Sequence, residues 1–403
     1  MFQLAHIASR NLLRNRRRTL LTLAALAVGV FAVVGVRGFL NGLQGSLLLS
    51  ITEGGLGAIQ VHRKGYMASV ESTPLRPDMP LDEALLQKIR AVPGVTAVTP
   101  RINSAGMVNV GDETVFSMFN GVDPEQELKV SPRRKDAVVT GAWTKGGTEV
   151  LLGMEIANAV KARPGVPGAV LTNDVDGVMN ASDLTVVGTL AAATQGEKKL
   201  VVMPLAMMQQ LLRMEGRITE IAVQVTDLDE AGAVAERIQA VLGDEYEVHT
   251  WETFAAFAKD VRQTQNTALN YVTYIFLLIM LMGIANTLLM SVMERVREIG
   301  TMMAVGTKRR QILTMFLIEA LILGALGASV GAVLGFGLVE ILGHVGVRLT
   351  TPGASLPQLL IPTIKISYLL RMVMLSGVGA ALAALYPAYK ASRLRPVEAL
   401  ASV

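Results

Sequence analysis

The chain has 403 residues and not one cysteine. Disulfides, thiolate metal sites and a cysteine nucleophile are therefore excluded. Histidine is nearly as scarce, with four residues, which leaves little for a zinc centre. Charge is thin as well: 17% of residues are charged, against about 25% in ordinary globular chains. Long apolar runs fill the space, and mean hydropathy reaches +0.44. The net charge of +4 hides a division between two parts of the chain. Residues 41–266 carry 20 basic and 28 acidic groups, while the remainder carries 17 and 5. The basic excess lies beside the apolar runs, an arrangement of membrane proteins rather than of nucleic-acid binders.

A hydrocarbon core about 30 Å thick needs around 20 apolar helical residues. Four runs meet that requirement: 19–40, 267–293, 312–343 and 366–386. The first holds Arg37 near its end, the third holds Glu319 and Glu340, and the fourth holds Arg371. The first run is too long for a cleaved signal peptide, so it is expected to stay as an anchor. Residues 1–18 place Phe2, Leu4, Ile7 and Leu12 among basic groups, as in a helix lying in the membrane interface. Thirteen Lys and Arg flank the runs at the two termini and in 294–311, against Arg348 and Lys365 in 344–365. The positive-inside rule then puts both termini, the 387–403 tail and the 294–311 segment in the cytoplasm, and residues 41–266 outside.

The 41–266 block reads as mixed α and β. Helices are predicted over 80–90, 150–161, 204–214 and 229–242, and strands over 107–110, 114–119, 183–190, 200–203, 220–225 and 246–250. That order suggests two α/β lobes flanking a strand-rich piece. No catalytic constellation appears, and no metal or cofactor site is expected. His62 and His249 stand alone, Asp174 and Asp176 lack the spacing of a calcium loop, and Arg133-Arg134-Lys135 reads as a solvated loop. Asn180-Ala181-Ser182 is a formal glycosylation sequon.

Gly327-Ala328-Ser329-Val330-Gly331 matches the nucleophile-elbow spacing but lies inside an apolar helical run, where no strand–turn–helix can form. Gly327, Gly331 and Gly335 instead recur every fourth residue and line one helix face, which predicts a packing seam. Gly300 and Gly306 ahead of Lys308 miss the phosphate-loop spacing, and no Walker A occurs in these residues. Glu319 is expected in a helix-packing ion pair. In 294–311, Ile299, Met302 and Met303 make one apolar stripe at helical spacing, suited equally to a partner's groove or to the lipid surface.

Three segments carry a family resemblance: Glu294-Arg295-Val296-Arg297-Glu298-Ile299-Gly300 with the following Ala304–Ile312; Arg10-Asn11-Leu12-Leu13-Arg14; and Tyr386-Pro387-Ala388-Tyr389-Lys390-Ala391-Ser392-Arg393. The chain resembles the FtsX/MacB-type (type VII) ABC transporter permeases, with an FtsX-like permease domain over 267–398 and a MacB-like core domain over 41–266. With no ATPase domain fused, it is most similar to the LolC/LolE-like lipoprotein-releasing permeases.

The resemblance implies four transmembrane helices, an inserted α/β periplasmic domain, and a multi-pass location in a bacterial inner membrane. It also implies two copies of a cytoplasmic ABC ATPase subunit, a second permease subunit, and no enzymatic activity in this chain. In the lipoprotein-releasing branch the further partners are a lipoprotein cargo and a periplasmic carrier; MacB-like efflux and FtsX-like control of a cell-wall hydrolase are the alternatives. The family's coupling helix, which seats on the ATPase, falls by resemblance on Arg297, Glu298, Ile299, Met302, Met303 and Gly306.

Overall fold

A computed structural model of the chain describes residues 16–72, 74–192, 196–349 and 357–393. The interfacial helix expected over residues 1–18 lies almost wholly outside them. Two compact units are present: Ser46–Val261 with Arg348–Leu359, and the remaining residues.

Helix α1, Arg16–Ile51, carries the first apolar run and ends in a π-helical turn, Thr52–Leu56. The inserted unit then begins with strand β1, Ile59–Arg63. Helix α2, Glu83–Arg90, starts three residues later than predicted because Asp82 is its cap and accepts from the Ala84 amide at 2.9 Å. Strands β2, Val95–Val110, and β3, Glu113–Val122, form a long hairpin. Helices α3, Pro124–Val130, and α4, Arg133–Asp136, follow, then strands β4, Val138–Gly141, and β5, Glu149–Gly153, and helix α5, Met154–Ala159. Next come β6, Pro167–Asn173, β7, Met179–Leu190, β8, Leu200–Pro204, and helix α6, Leu205–Leu212. The unit closes with β9, Glu220–Val225, α7, Ala231–Leu242, and β10, Tyr246–Thr250.

These ten strands make one sheet in the order β10-β1-β9-β2-β3-β8-β5-β7-β4, and β6 bonds to both β2 and β7. The strands β2, β3, β8, β5, β7 and β6 thus close a hydrogen-bonded ring. This corrects the expectation of two separate lobes. The continuous core includes Ile59, Val61, Ile102, Val108, Phe119 and Val201. The helix expected over 150–161 is also corrected. Its first part is β5, paired on both edges, with Val150, Leu151 and Leu152 fully buried. A strand with two neighbours reads as an unbroken apolar run, which periodicity alone does not separate from a helix.

A buried ionic cluster lies between β2, β9, α3 and α4. The Arg101 guanidinium donates to both Glu127 oxygens at 2.9 and 2.8 Å, to Glu220 at 3.0 Å and to the Leu56 carbonyl at 3.3 Å. Arg134 pairs with Glu127 at 3.0 Å and donates to the Asn120 side chain and the Gly54 carbonyl. Arg134 is therefore buried, which corrects the reading of 133–135 as a solvated loop. Two guanidinium and two carboxylate groups cancel, so the four side chains enter the interior without net charge.

The second unit is helical. Helix α8, Ala256–Glu294, leads to α9, Val296–Ala304, and α10, Arg309–Val345; α11, Ile366–Ala383, and α12, Leu385–Ser392, complete it. Among the described residues four helices are long and apolar enough to cross a membrane. Helices α1 and α8 run ten or so residues beyond their apolar stretches.

Burial pushes the Glu127 carboxyl up, but Arg101 and Arg134 outweigh it and hold the group below its ordinary value. Its stabilisation is therefore present above the ordinary carboxylate range and lost as pH falls below about 4. Arg101→Met leaves the buried Glu220 without a cationic partner and Glu127 with Arg134 alone, and is predicted to cost about 3–5 kcal/mol at neutral pH. Thermal unfolding of the full chain checks both statements: Glu127→Gln should remove part of the acid sensitivity, and an unchanged acid profile would contradict the assignment.

Candidate functional site

The segment between α8 and α10 is built as a helix with a sharp exit. After α9, Gly306 adopts φ +100°, its amide bonds to the Met303 carbonyl at 3.1 Å, and the Thr307 amide bonds to Met302 at 3.0 Å. This pair of bonds is a Schellman stop, and the left-handed turn at its centre favours glycine. The Lys308 amide then donates to the Gln311 side chain at 2.8 Å, capping the start of α10.

The apolar stripe on α9 turns inward. Ile299 is 2% exposed and packs with Val292, Ile312, Met315, Phe316, Ala388 and Ala391, with Met302 and Met303 half-buried against the same cluster. The stripe is accordingly not offered whole to a groove or to lipid, because the chain's own α10 and α12 cover it. The opposite face is open: Arg297, Glu298, Thr301, Gly306 and Lys308–Arg310 are exposed, and Val305 is 85% exposed. Sequence reasoning missed Val305. Its signal was available, since an apolar residue next to a capping glycine falls off the i, i+3, i+4 stripe.

At the base of the segment Arg295 and Glu319 approach to 3.9 Å and are both buried, consistent with a packing ion pair. The structure places Gly327, Gly331 and Gly335 on the face of α10 that meets α1. A Cβ on them would come within 2.8 Å of Leu26, 2.8 Å of Val30 and 2.7 Å of Val34 respectively. Gly331 lies within α10, so the nucleophile-elbow spacing has no strand–turn setting.

The other candidate groups are structural. His62 is fully buried, stacks on Tyr66 at 4.0 Å and bonds to the Thr219 carbonyl. Asp174 accepts from the amides of Asp176 and Val178 and from Asn180, and pairs with Arg213 at 3.4 Å. Burial raises its carboxyl, yet these donors win and hold it low, so its oxygens are already spent on a turn. Among the described residues no group of three or more metal-capable side chains occurs.

Two family models match. The MacB-like periplasmic core domain covers residues 19–241 and the FtsX-like permease C-terminal domain covers 270–396. The chain belongs to the MacB/FtsX permease family. Among its relatives are the macrolide export ATP-binding/permease proteins MacB of Nitrobacter winogradskyi, 30% identical over 96% of this chain, and of Hyphomonas neptunium, 27% identical over 98%. The chain spans 58% and 60% of those two proteins. The periplasmic region of MacB from Actinobacillus actinomycetemcomitans is 14% identical, with a TM-score of 0.36 over 53% of this chain and 94% of that one. The extracellular domain of the YknZ transporter gives 15% and 0.34, over 48% of this chain and 100% of that one. The family assignment rests on the matched models and the sequence relatives. It makes the chain an ABC transporter permease of MacB/FtsX type, a multi-pass membrane protein with its MacB-like domain inserted after the first span.

Packing predicts opposite outcomes for two substitutions in this permease. Ile299→Asp buries an unpaired charge and should lower stability by several kcal/mol. Val305→Asp alters an open surface and should stay within about 0.5 kcal/mol. Thermal midpoints in detergent check the pair, and equal midpoints would contradict the inward orientation of the stripe.

Proposed function

We propose that this chain is the permease of a MacB-like exporter, coupled through α9 to an ATPase that lies outside these 403 residues. One observation carries the reading: α9 is fixed by Ile299 to α10 and α12 while its other face, tipped by Val305, stays open. A nine-residue helix held at both ends and along its apolar face transmits a push to α10 instead of absorbing it. ATPase states that bind this face with different affinity would then shift the permease between conformations. The proposal includes two ATPase copies, a second permease subunit, cytoplasmic termini, a bacterial inner membrane, and the division of the chain at residues 41 and 267.

Export is favoured over lipoprotein release. The relatives above are named for macrolide export, and they extend beyond the stretch that these 403 residues match, so the lack of an ATPase domain within that stretch does not favour the lipoprotein-releasing branch. Among the coupling residues, Arg297, Glu298 and Gly306 belong to the open face, whereas Ile299, Met302 and Met303 would act by seating the helix.

Val305→Asp in the full chain, reconstituted with its ATPase, tests this. Transport should fall about tenfold or more, equivalent to ~1.4 kcal/mol of lost coupling, with insertion and thermal midpoint unchanged. Wild-type transport by that variant would remove α9 from the mechanism.

A further inference from the structure

Helices α1 and α8 meet along a polar ladder: Thr22 donates to Thr287 at 3.4 Å, Arg37 to Asn270 and Asn266 at 3.1 and 3.5 Å, and Gln44 to Gln265 at 2.9 Å. The middle rung differs from the others. Arg37 is half-buried, its guanidinium lies 5.3 Å from the centre of the Tyr368 ring, and among the described residues it bonds to neutral partners only. Among the described residues no carboxylate pairs with Arg37. A charged side chain in a membrane span is costly and ordinarily pairs or marks a binding site.

The chemistry of the cluster is one-sided. Arg37 supplies five N–H donors and each asparagine an amide NH2, while no side chain at this rung brings a negative charge. A charge-assisted acceptor is what is missing, and a phosphate fits the planar guanidinium fork. Depth selects the source. Arg37 follows Thr19 by about 27 Å of helix, close to one hydrocarbon thickness, and Asn270 marks the same boundary on α8. The cluster therefore sits at the level of the lipid phosphates, on the side of the bilayer where the inserted domain is attached. The wall beside it is irregular chain: the Thr363 amide bonds to the Gly38 carbonyl at 3.2 Å, and Asn41 donates to the Thr363 carbonyl at 3.4 Å. Asn270 itself is exposed.

We propose that Arg37, Asn266, Asn270 and Tyr368 form a binding site for the phosphate of a membrane phospholipid, which supplies the counter-charge that the chain itself omits. This rests on the membrane reading of the spans and is independent of the export proposal.

Native mass spectrometry of the full chain in non-ionic detergent, titrated with phosphatidylglycerol, tests it. Wild type should retain the lipid, and Arg37→Gln should bind it at least about tenfold more weakly. Asn270→Asp keeps the guanidinium but builds in a carboxylate, so it should expel the lipid with the thermal midpoint held or raised. Equal retention in all three proteins would overturn the site, as would loss in Arg37→Gln with full retention in Asn270→Asp. Displacement of the lipid by inorganic phosphate would overturn the lipid as source. Loss of chain–chain association in Arg37→Gln with lipid binding unchanged would assign the counter-charge to a second protein chain instead, and so also overturn the proposal.

Discussion

The seat of Ile299 among Ile312, Met315, Phe316, Ala388 and Ala391 is the contact on which the rest depends. Isolated helices shorter than about 12 residues are marginal in water, so the nine residues of α9 owe their form to this docking and to the glycine stop behind it. Docking converts a loop between two spans into a rigid corner of the bundle. From that corner α10 runs 37 residues, and its glycine face meets Leu26, Val30 and Val34 of α1 so closely that no larger residue fits. Between helices in lipid, where burying apolar surface brings little gain, such close contact is the main source of cohesion.

The inserted domain solves a different problem, that of placing charge inside a protein. Each of Arg101, Arg134, Glu127 and Glu220 would be expensive alone, and together they satisfy one another and the carbonyls of Gly54 and Leu56. Those carbonyls belong to the turn that ends α1, so the cluster fixes where the first helix gives way to the sheet. A set of apolar residues would fill the same volume with less desolvation, but would leave the two carbonyls without donors.

Much of the membrane unit was legible in the sequence. Spans longer than 18 apolar residues and glycines at every fourth position carry their meaning locally, because lipid permits few alternatives to a helix. The inserted domain was legible in its elements more than in its topology. The run Val150–Leu152 is the same string in a buried strand or a helix, and only its two neighbours in the sheet decide. The burial of Arg134 was hidden for a related reason: its partners Glu127, Asn120 and Gly54 are scattered along the chain and meet only once the sheet has closed. The stripe on α9 was visible, but the side it faces was not, since α12 lies more than 80 residues away in sequence. Val305 fell outside the stripe and so outside the reasoning, although it is the most open apolar residue in the segment.

The absence of cysteine makes the central claim directly measurable. A single Val305→Cys substitution gives the chain its only thiol, at the tip of the open face of α9. Cross-linking from that position, in the assembled complex with and without ATP, reads whether this tip touches the nucleotide-hydrolysing partner. The account predicts a cross-link to the ATPase whose yield changes with nucleotide. A thiol that forms no such link, and that reacts with solvent reagents equally in every nucleotide state, would contradict it.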